Sequence, residues 1–184
     1  MDKDICTGLH AVPVTADYPN IQRLNAIMNE AFPENERPDS RDVSEYCEGD
    51  GYVLLAFEDD HVPVGFSLLY DLGDNVYYGV YLAIAKEFRN RHYGTRALKL
   101  VKEEFLKGKI QFACIEALLP EAENYQQRVD RARFYLRNGM SLLDGVIDAG
   151  EAGKYQFICT EPNVTFEQLM PKMEPILSFL AENP

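Results

Sequence analysis

The chain has no tryptophan, three histidines (His10, His61, His92) and four cysteines (Cys6, Cys47, Cys114, Cys159). The cysteines lie far apart with no C-x-x-C spacing, which supports neither a zinc site nor a disulfide framework, and reduced thiols are expected. The histidines form no triad and no ligand spacing, so no metal is expected. No apolar run approaches the ~18–20 residues that a membrane-spanning helix needs. The opening MDKDICTGLH lacks the basic-then-apolar order of a secretion signal. A cytoplasmic protein without a membrane partner is the expectation. Repeats and low-complexity tracts are also missing. Basic charge is scarce, with 18 Lys and Arg against 30 Asp and Glu for a formal net charge of −12. With no tryptophan and no basic aromatic stripe, that balance argues against nucleic acid as a partner.

What is present suits one domain spanning 1–184, since 46% of the 184 residues are hydrophobic and can fill a core. His10–Thr15 reads as a short strand, and Ile21, Leu24, Ile27, Met28 and Ala31 recur at helical spacing. Ser40 is placed to cap a short second helix through Val43, Tyr46 and Cys47, closed by Gly49. Tyr52–Phe57 and Val64–Leu69 are apolar runs joined across Glu58–His61, the pattern of a hairpin. Val76–Ile84 and Ile110–Leu119 read as strands, and Val129–Arg137 as a helix stopped by Asn138-Gly139. Leu142–Ile147 and Tyr155–Thr160 read as a closing hairpin. Thr165 and Gln168 have capping-box spacing ahead of a Met- and Leu-rich helical stripe.

The stretch from Tyr77 to Leu106 organises the rest. Its strand passes through a polar turn into a helix opening near Tyr93. Ala97, Leu98, Val101 and Phe105 fall on one face, and Lys99, Lys102, Glu103 and Glu104 on the other. Residues 86–109 hold eight Lys or Arg against three Glu, a local +5 that leaves −17 for everything else. A basic island on an acidic chain suits a small polyanion. The start of a helix also offers unpaired N–H groups and the positive end of its dipole to a phosphate. A solvated amphipathic helix accounts for the same lysines equally well.

Phe88-Arg89-Asn90-Arg91-His92-Tyr93-Gly94-Thr95 resembles the acyl-CoA pyrophosphate loop of the GNAT (Gcn5-related N-acetyltransferase) superfamily. That pattern is Arg/Gln-x-x-Gly-x-Gly/Ala at the start of a helix, after a long strand. Arg89 and Gly94 match, while His92 stands where the first Gly is usual, and Gly reaches positive φ more readily than His. Arg131-Ala-Arg-Phe134-Tyr135-Leu-Arg-Asn-Gly139-Met140 resembles the family's following motif. The hairpin before, the strand between and the hairpin after fall in the family's order across residues 50–160.

The resemblance implies an α/β (α+β) GNAT fold, a mixed, mostly antiparallel twisted sheet of six to seven strands flanked by helices. It implies direct transfer of acetyl from acetyl-CoA, as co-substrate, to an amine of a small molecule or peptide, with no metal. Backbone near Leu82 and Ile84 would pair with the pantetheine amides. The amides of Arg89, Asn90, Arg91, His92, Tyr93, Gly94 and Thr95 would hold the pyrophosphate. Tyr135 takes the place of the family's general acid for the leaving thiolate, and a phenol of pKa about 10 is protonated at neutral pH.

Glu116, a lone carboxylate in an apolar strand, is the candidate base. Its bland alternative is an ion pair with Arg131 or Arg133. Glu34 and Glu36, in the loop that borders the acceptor site in the family, are candidates for binding the amine. The acidic remainder suits a cationic acceptor. The alternative reading is a non-catalytic acyl-CoA-binding sensor module on the same fold. Acceptor identity, acyl preference and oligomeric state, a homodimer included, are left open by the sequence.

Overall fold

The computed structural model describes residues 8–32, 42–47, 51–148, 150 and 153–173. The chain divides into two units, residues 1–109 and 110–184, and each is taken by itself.

In the first unit four antiparallel strands follow in chain order: β1 (His10–Pro13), β2 (Tyr52–Asp59), β3 (Val62–Asp71) and β4 (Val76–Ile84). β2 and β3 are buried along most of their length, so their alternating side chains feed two apolar layers. Leu54, Ala56, Phe66, Leu68 and Ala83 pack with Leu24, Ile27 and Met28 of α1 (Ile21–Ala31). Leu55, Phe57, Val64 and Leu69 pack with Tyr93, Ala97 and Val101. Burying each such large apolar side chain contributes about 1.5–3 kcal/mol, so the two layers dominate the unit's stability.

The β2–β3 turn is two residues long. Asp60 and His61 are both left-handed, at φ 51° and 61°, a backbone that matches the twist of the paired strands. Glu58 and Asp59, expected in the turn, extend β2 instead, and each grips a tyrosine from a different layer. The Tyr18 hydroxyl donates to Glu58 Oε1 and the Tyr93 hydroxyl to Asp59 Oδ2, both at 2.5 Å. Burial, and then the carboxylate it donates to, pushes the Tyr18 phenol well above its ordinary value.

Ser40 and Gly49, the proposed ends of the short second helix, lie outside the described residues. Val43–Cys47 forms one 3₁₀ turn, started by Asp42 Oδ1, which accepts the Ser44 N–H at 2.9 Å. In β4 the register slips by one residue: Leu69 faces Gly79 but Leu68 faces Tyr81, leaving Val80 as an extra residue. Such a bulge bends the strand at its middle. The helix that follows, α2 (Tyr93–Leu100), continues as a π-helical turn (Val101–Phe105), and the Leu106 N–H reaches Val101 O at 2.8 Å.

In the second unit β5 (Ile110–Glu116) precedes α3 (Tyr125–Arg137). Three further strands follow: β6 (Ser141–Leu142), β7 (Ile147–Asp148) and β8 (Lys154–Cys159). β5 pairs antiparallel with β8, and β6 and β7 both pair antiparallel with β8 as well. The strand expected over Leu142–Ile147 is therefore one arm in two pieces, with a two-residue register shift between Leu142↔Ile158 and Ile147↔Tyr155. Gly145 lies in the break at φ 130°, where a Cβ would strike the Phe166 ring at 2.7 Å. Phe112, Phe157 and Phe166 stack into this unit's core, with centroids 5.3 and 5.1 Å apart.

β5 stops at Glu116, short of the expected Leu119, because side chains take over the backbone bonds beyond it. Gln156 Oε1 accepts the Leu118 N–H at 3.2 Å, and Arg128 donates to Ala117 O at 2.9 Å. α3 starts at Tyr125, four residues before the expected Val129. Half of the capping box is in place, with the Thr165 N–H donating to Gln168 Oε1 at 2.8 Å, while the Gln168 N–H reaches the Thr165 backbone O at 3.2 Å. No helix among the described residues is long and apolar enough to cross a membrane.

Gly65 is opposite Ile84 at the end of β4, and a Cβ there would lie 2.3 Å from Ala83 O and 2.7 Å from Ile84 Cδ1. Backbone cannot give way as a flexible side chain can. Gly65→Ala is expected to destabilise the protein by about 2–3 kcal/mol, the range for overpacking, read as a lower urea midpoint. An unchanged midpoint would show that β4 shifts freely.

Candidate functional site

The end of β4 hands the chain to Ala85, which is completely buried, and then to a 3₁₀ turn, Lys86–Phe88. From there the backbone changes hand repeatedly: Arg89 is extended, while Asn90 (φ 60°) and His92 (φ 62°) are left-handed. Such alternation turns successive N–H groups toward a common concavity that suits an anion. His92 is the residue before α2, and no side chain caps that helix start. The first-turn N–H groups of an α-helix have no backbone partner within it, and together with the positive end of the helix dipole they suit a ligand's oxygens. His92 meets the backbone demand that glycine meets in the resembling motif.

Six side chains hold this loop in place. Arg89 Nε donates to Ile84 O at 2.8 Å, and its guanidinium lies 3.8 Å from Glu30 Oε1. That same Glu30 oxygen accepts the Lys86 N–H at 2.9 Å. Arg23 pairs with Glu87, whose carboxyl is held below its ordinary range by its own backbone N–H and then by Arg23. Phe88 meets Tyr93 edge-on with ring centroids 5.4 Å apart. The Arg89 guanidinium is thus engaged within the loop, so what the loop could offer an anion is chiefly backbone. Leu82 and Ile84, proposed to face a pantetheine arm, are half-buried residues of β4 beyond the bulge.

The two proposed catalytic side chains belong to the second unit. Glu116 closes β5, and both its oxygens are occupied. Oε1 accepts from Asn124 Nδ2 at 2.9 Å and lies 3.1 Å from Arg128, while Oε2 accepts from Arg131 at 2.7 Å. Arg133 pairs with Asp130 instead. Tyr135 lies on α3, with its ring 5.0 Å from that of Phe134. Burial pushes its phenol above the ordinary value, with the charge of Arg131 acting the other way. Glu34 and Glu36 lie outside the described residues.

Glu30, Arg23 and Asp59 support the site without having been singled out in the sequence. Each acts across 34 to 64 positions in the chain, as with Asp59 to Tyr93 and Arg23 to Glu87, and no local pattern marks such a pair.

Because His92 is left-handed at φ 62°, substitutions there should separate backbone from side chain. His92→Gly is expected to leave the urea midpoint within about 0.5 kcal/mol, relief of strain being offset by chain entropy. His92→Val places a β-branched residue in the same conformation and should cost about 1–2 kcal/mol. Equal midpoints for the two would mean that this backbone conformation is not held in solution.

Residues 21–140 match the profile of the acetyltransferase (GNAT) family. No curated protein is matched significantly by this sequence. Among solved structures, a protein of Bacteroides thetaiotaomicron described as a GNAT-family acetyltransferase superposes with a TM-score of 0.77 at 23% identity, over 95% of this chain and 99% of that one. An aminoglycoside 6′-N-acetyltransferase complexed with coenzyme A gives 0.64 at 16% identity, over 84% and 99%. Arabidopsis thaliana Naa50, in complex with the bisubstrate analogue CoA-Ac-MVNAL, gives 0.61 at 13% identity, over 84% and 99%. At these identities the structures establish the fold, the GNAT fold expected from the sequence, here with eight strands if β6 and β7 are counted separately. With 120 consecutive residues covered by the family profile, the chain belongs to the GNAT acetyltransferase family.

Proposed function

We propose that the chain is an acyl-CoA-dependent N-acetyltransferase that moves acetyl from acetyl-CoA directly onto an amine of a small molecule or peptide. The observation that carries this reading is the passage from bulged β4 through a twice left-handed loop into an uncapped helix. That passage provides a row of backbone N–H donors fitted to a pyrophosphate. Acetyl-CoA, when bound, supplies the thioester. The N–H of Arg89 is taken by Lys86 O at 3.2 Å, so the N–H groups of residues 90–95 hold the diphosphate, and the backbone at Leu82 and Ile84 receives the pantetheine arm.

Tyr135 is the proposed acid. Burial raises its pKa, so the proton is present throughout the neutral range and is available to a departing thiolate, whose basicity is comparable. Glu116 is the proposed acceptor of the amine's proton. A carboxylate with this many donors accepts a proton only when one withdraws, and Arg131, 49% exposed against 17% for Arg128, has the freedom to do so. Glu34 and Glu36 are proposed for the incoming ammonium by charge. The formal charge of −12 draws cationic acceptors by long-range attraction. The solved neighbours act on an aminoglycoside and carry a peptide analogue, both amine acceptors in kind.

Tyr135→Phe keeps the ring and deletes the hydroxyl. With an amine that the wild type acetylates, kcat should fall by roughly 10²–10⁴, with KM for acetyl-CoA nearly unchanged. Since the phenol pKa is raised, the alkaline decline of wild-type kcat should lie above the ordinary phenol value of about 10. Wild-type turnover in the variant would remove Tyr135 as the acid. Failure of the wild type on a broad amine panel, with acetyl-CoA still bound, would favour a sensor.

For Glu116→Gln, a lost base gives activity that recovers at high pH, where the amine is already neutral. A loss of the same size at every pH would assign the carboxylate to fastening β5 to α3. His92→Gly should retain acetyl-CoA affinity, because the loop then keeps its backbone.

A further inference from the structure

We propose that Asp59 is a positioning residue for acetyl-CoA binding, setting through Tyr93 the direction of the N–H groups at the start of α2. This rests on the acetyl-CoA reading above. Asp59 is the last residue of β2, and Tyr93 is the first residue of α2, thirty-four positions later in the chain. Only 4% of Tyr93 is exposed, and its ring belongs to the apolar layer under β2 and β3. One edge contact, with Phe88, ties the ring to the turn that opens the loop. Its hydroxyl donates to Asp59 Oδ2 at 2.5 Å. A ring held along its length by packing and at its tip by an ionic acceptor cannot swing without moving its own backbone. That backbone sits between left-handed His92 and Gly94.

The carboxylate is itself fixed. It follows a strand paired on both sides and precedes a two-residue left-handed turn. Its Oδ1 lies so near Gly8 that a Cβ there would come within 2.9 Å. The β2–β3 hairpin end therefore acts as a stop for the start of α2. Apolar packing alone fills volume and tolerates small rotations, whereas a hydrogen bond at the ring's tip selects one. The N–H groups nearest Tyr93 would reach a diphosphate at full strength only in that setting.

A role of this kind is separable from ordinary structural support. Acetyl-CoA and acetyl-pantetheine share the thioester and the arm, but only acetyl-CoA carries a diphosphate. Binding of both should be measured by calorimetry for the wild type, Asp59→Asn, Tyr93→Phe and the double variant, with urea midpoints alongside. The wild type should prefer acetyl-CoA. Each single variant should lose about tenfold in acetyl-CoA affinity, the scale of one charged hydrogen bond, and keep acetyl-pantetheine affinity within about twofold. The double variant should lose no more than either single one.

Equal weakening of both ligands, no weakening of either, or additive losses would overturn the proposal while leaving the loop reading intact. A wild type that does not prefer acetyl-CoA would overturn the loop reading and this proposal together. Should Asp59→Asn fail to fold, Tyr93→Phe alone decides between these outcomes.

Discussion

An α-helix cannot satisfy the N–H groups of its own first turn, and everything at the proposed site follows from that. At α2 the residue before the first turn, His92, supplies no side-chain cap. The residues just before it spend their conformational freedom on left-handed backbone at Asn90 and His92. A side-chain cap is worth about 0.5–2 kcal/mol where the preceding residue has extended backbone, and left-handed His92 does not provide one. The arrangement is intelligible when an anion is the cap.

Such a site is only as accurate as the frame beneath it. β2 and β3 are apolar on both faces, which fixes α1 against one side of their sheet and α2 against the other. Polar groups then refine what packing leaves loose. Glu30 and Arg23 reach from α1 to the turn at Lys86–Phe88, and Asp59 reaches from β2 to α2. In the second unit the same economy appears around Glu116, where two arginines and an asparagine meet one carboxylate. Two charges of one sign and one of the other leave an excess positive charge near the end of β5.

Much of this was legible in the residues because it depends on short-range rules. The spacing of Leu24, Ile27 and Met28 marks α1. The apolar Val76–Ile84 marks β4 to the residue, and Arg89 with Gly94 marks the loop. Other features depend on partners far along the chain. Glu58 and Asp59 look like turn residues until Tyr18 and Tyr93 arrive to receive them in the sheet. Glu116 looks like a solitary carboxylate until α3 folds back and brings Arg128 and Arg131 to it. The break between β6 and β7 follows from Phe166, which occupies the space that a side chain at Gly145 would need. Charge and period are local signals, while occupancy of space is not.

The π-helical turn at Val101–Phe105 carries a consequence for how this chain tolerates changes in length. A π-turn is an α-helix holding one residue more than its pitch requires, and here it lies after the anion-facing start of α2. Loss of one residue there would let the segment relax to ordinary helix. The residues on either side, buried Leu106 among them, would keep close to their places, because the π-turn is what absorbs the extra residue. The helix start would keep its footing on Tyr93. Loss of one residue at this point is therefore absorbed within the helix, so the chain's length can vary there without disturbing the proposed diphosphate seat.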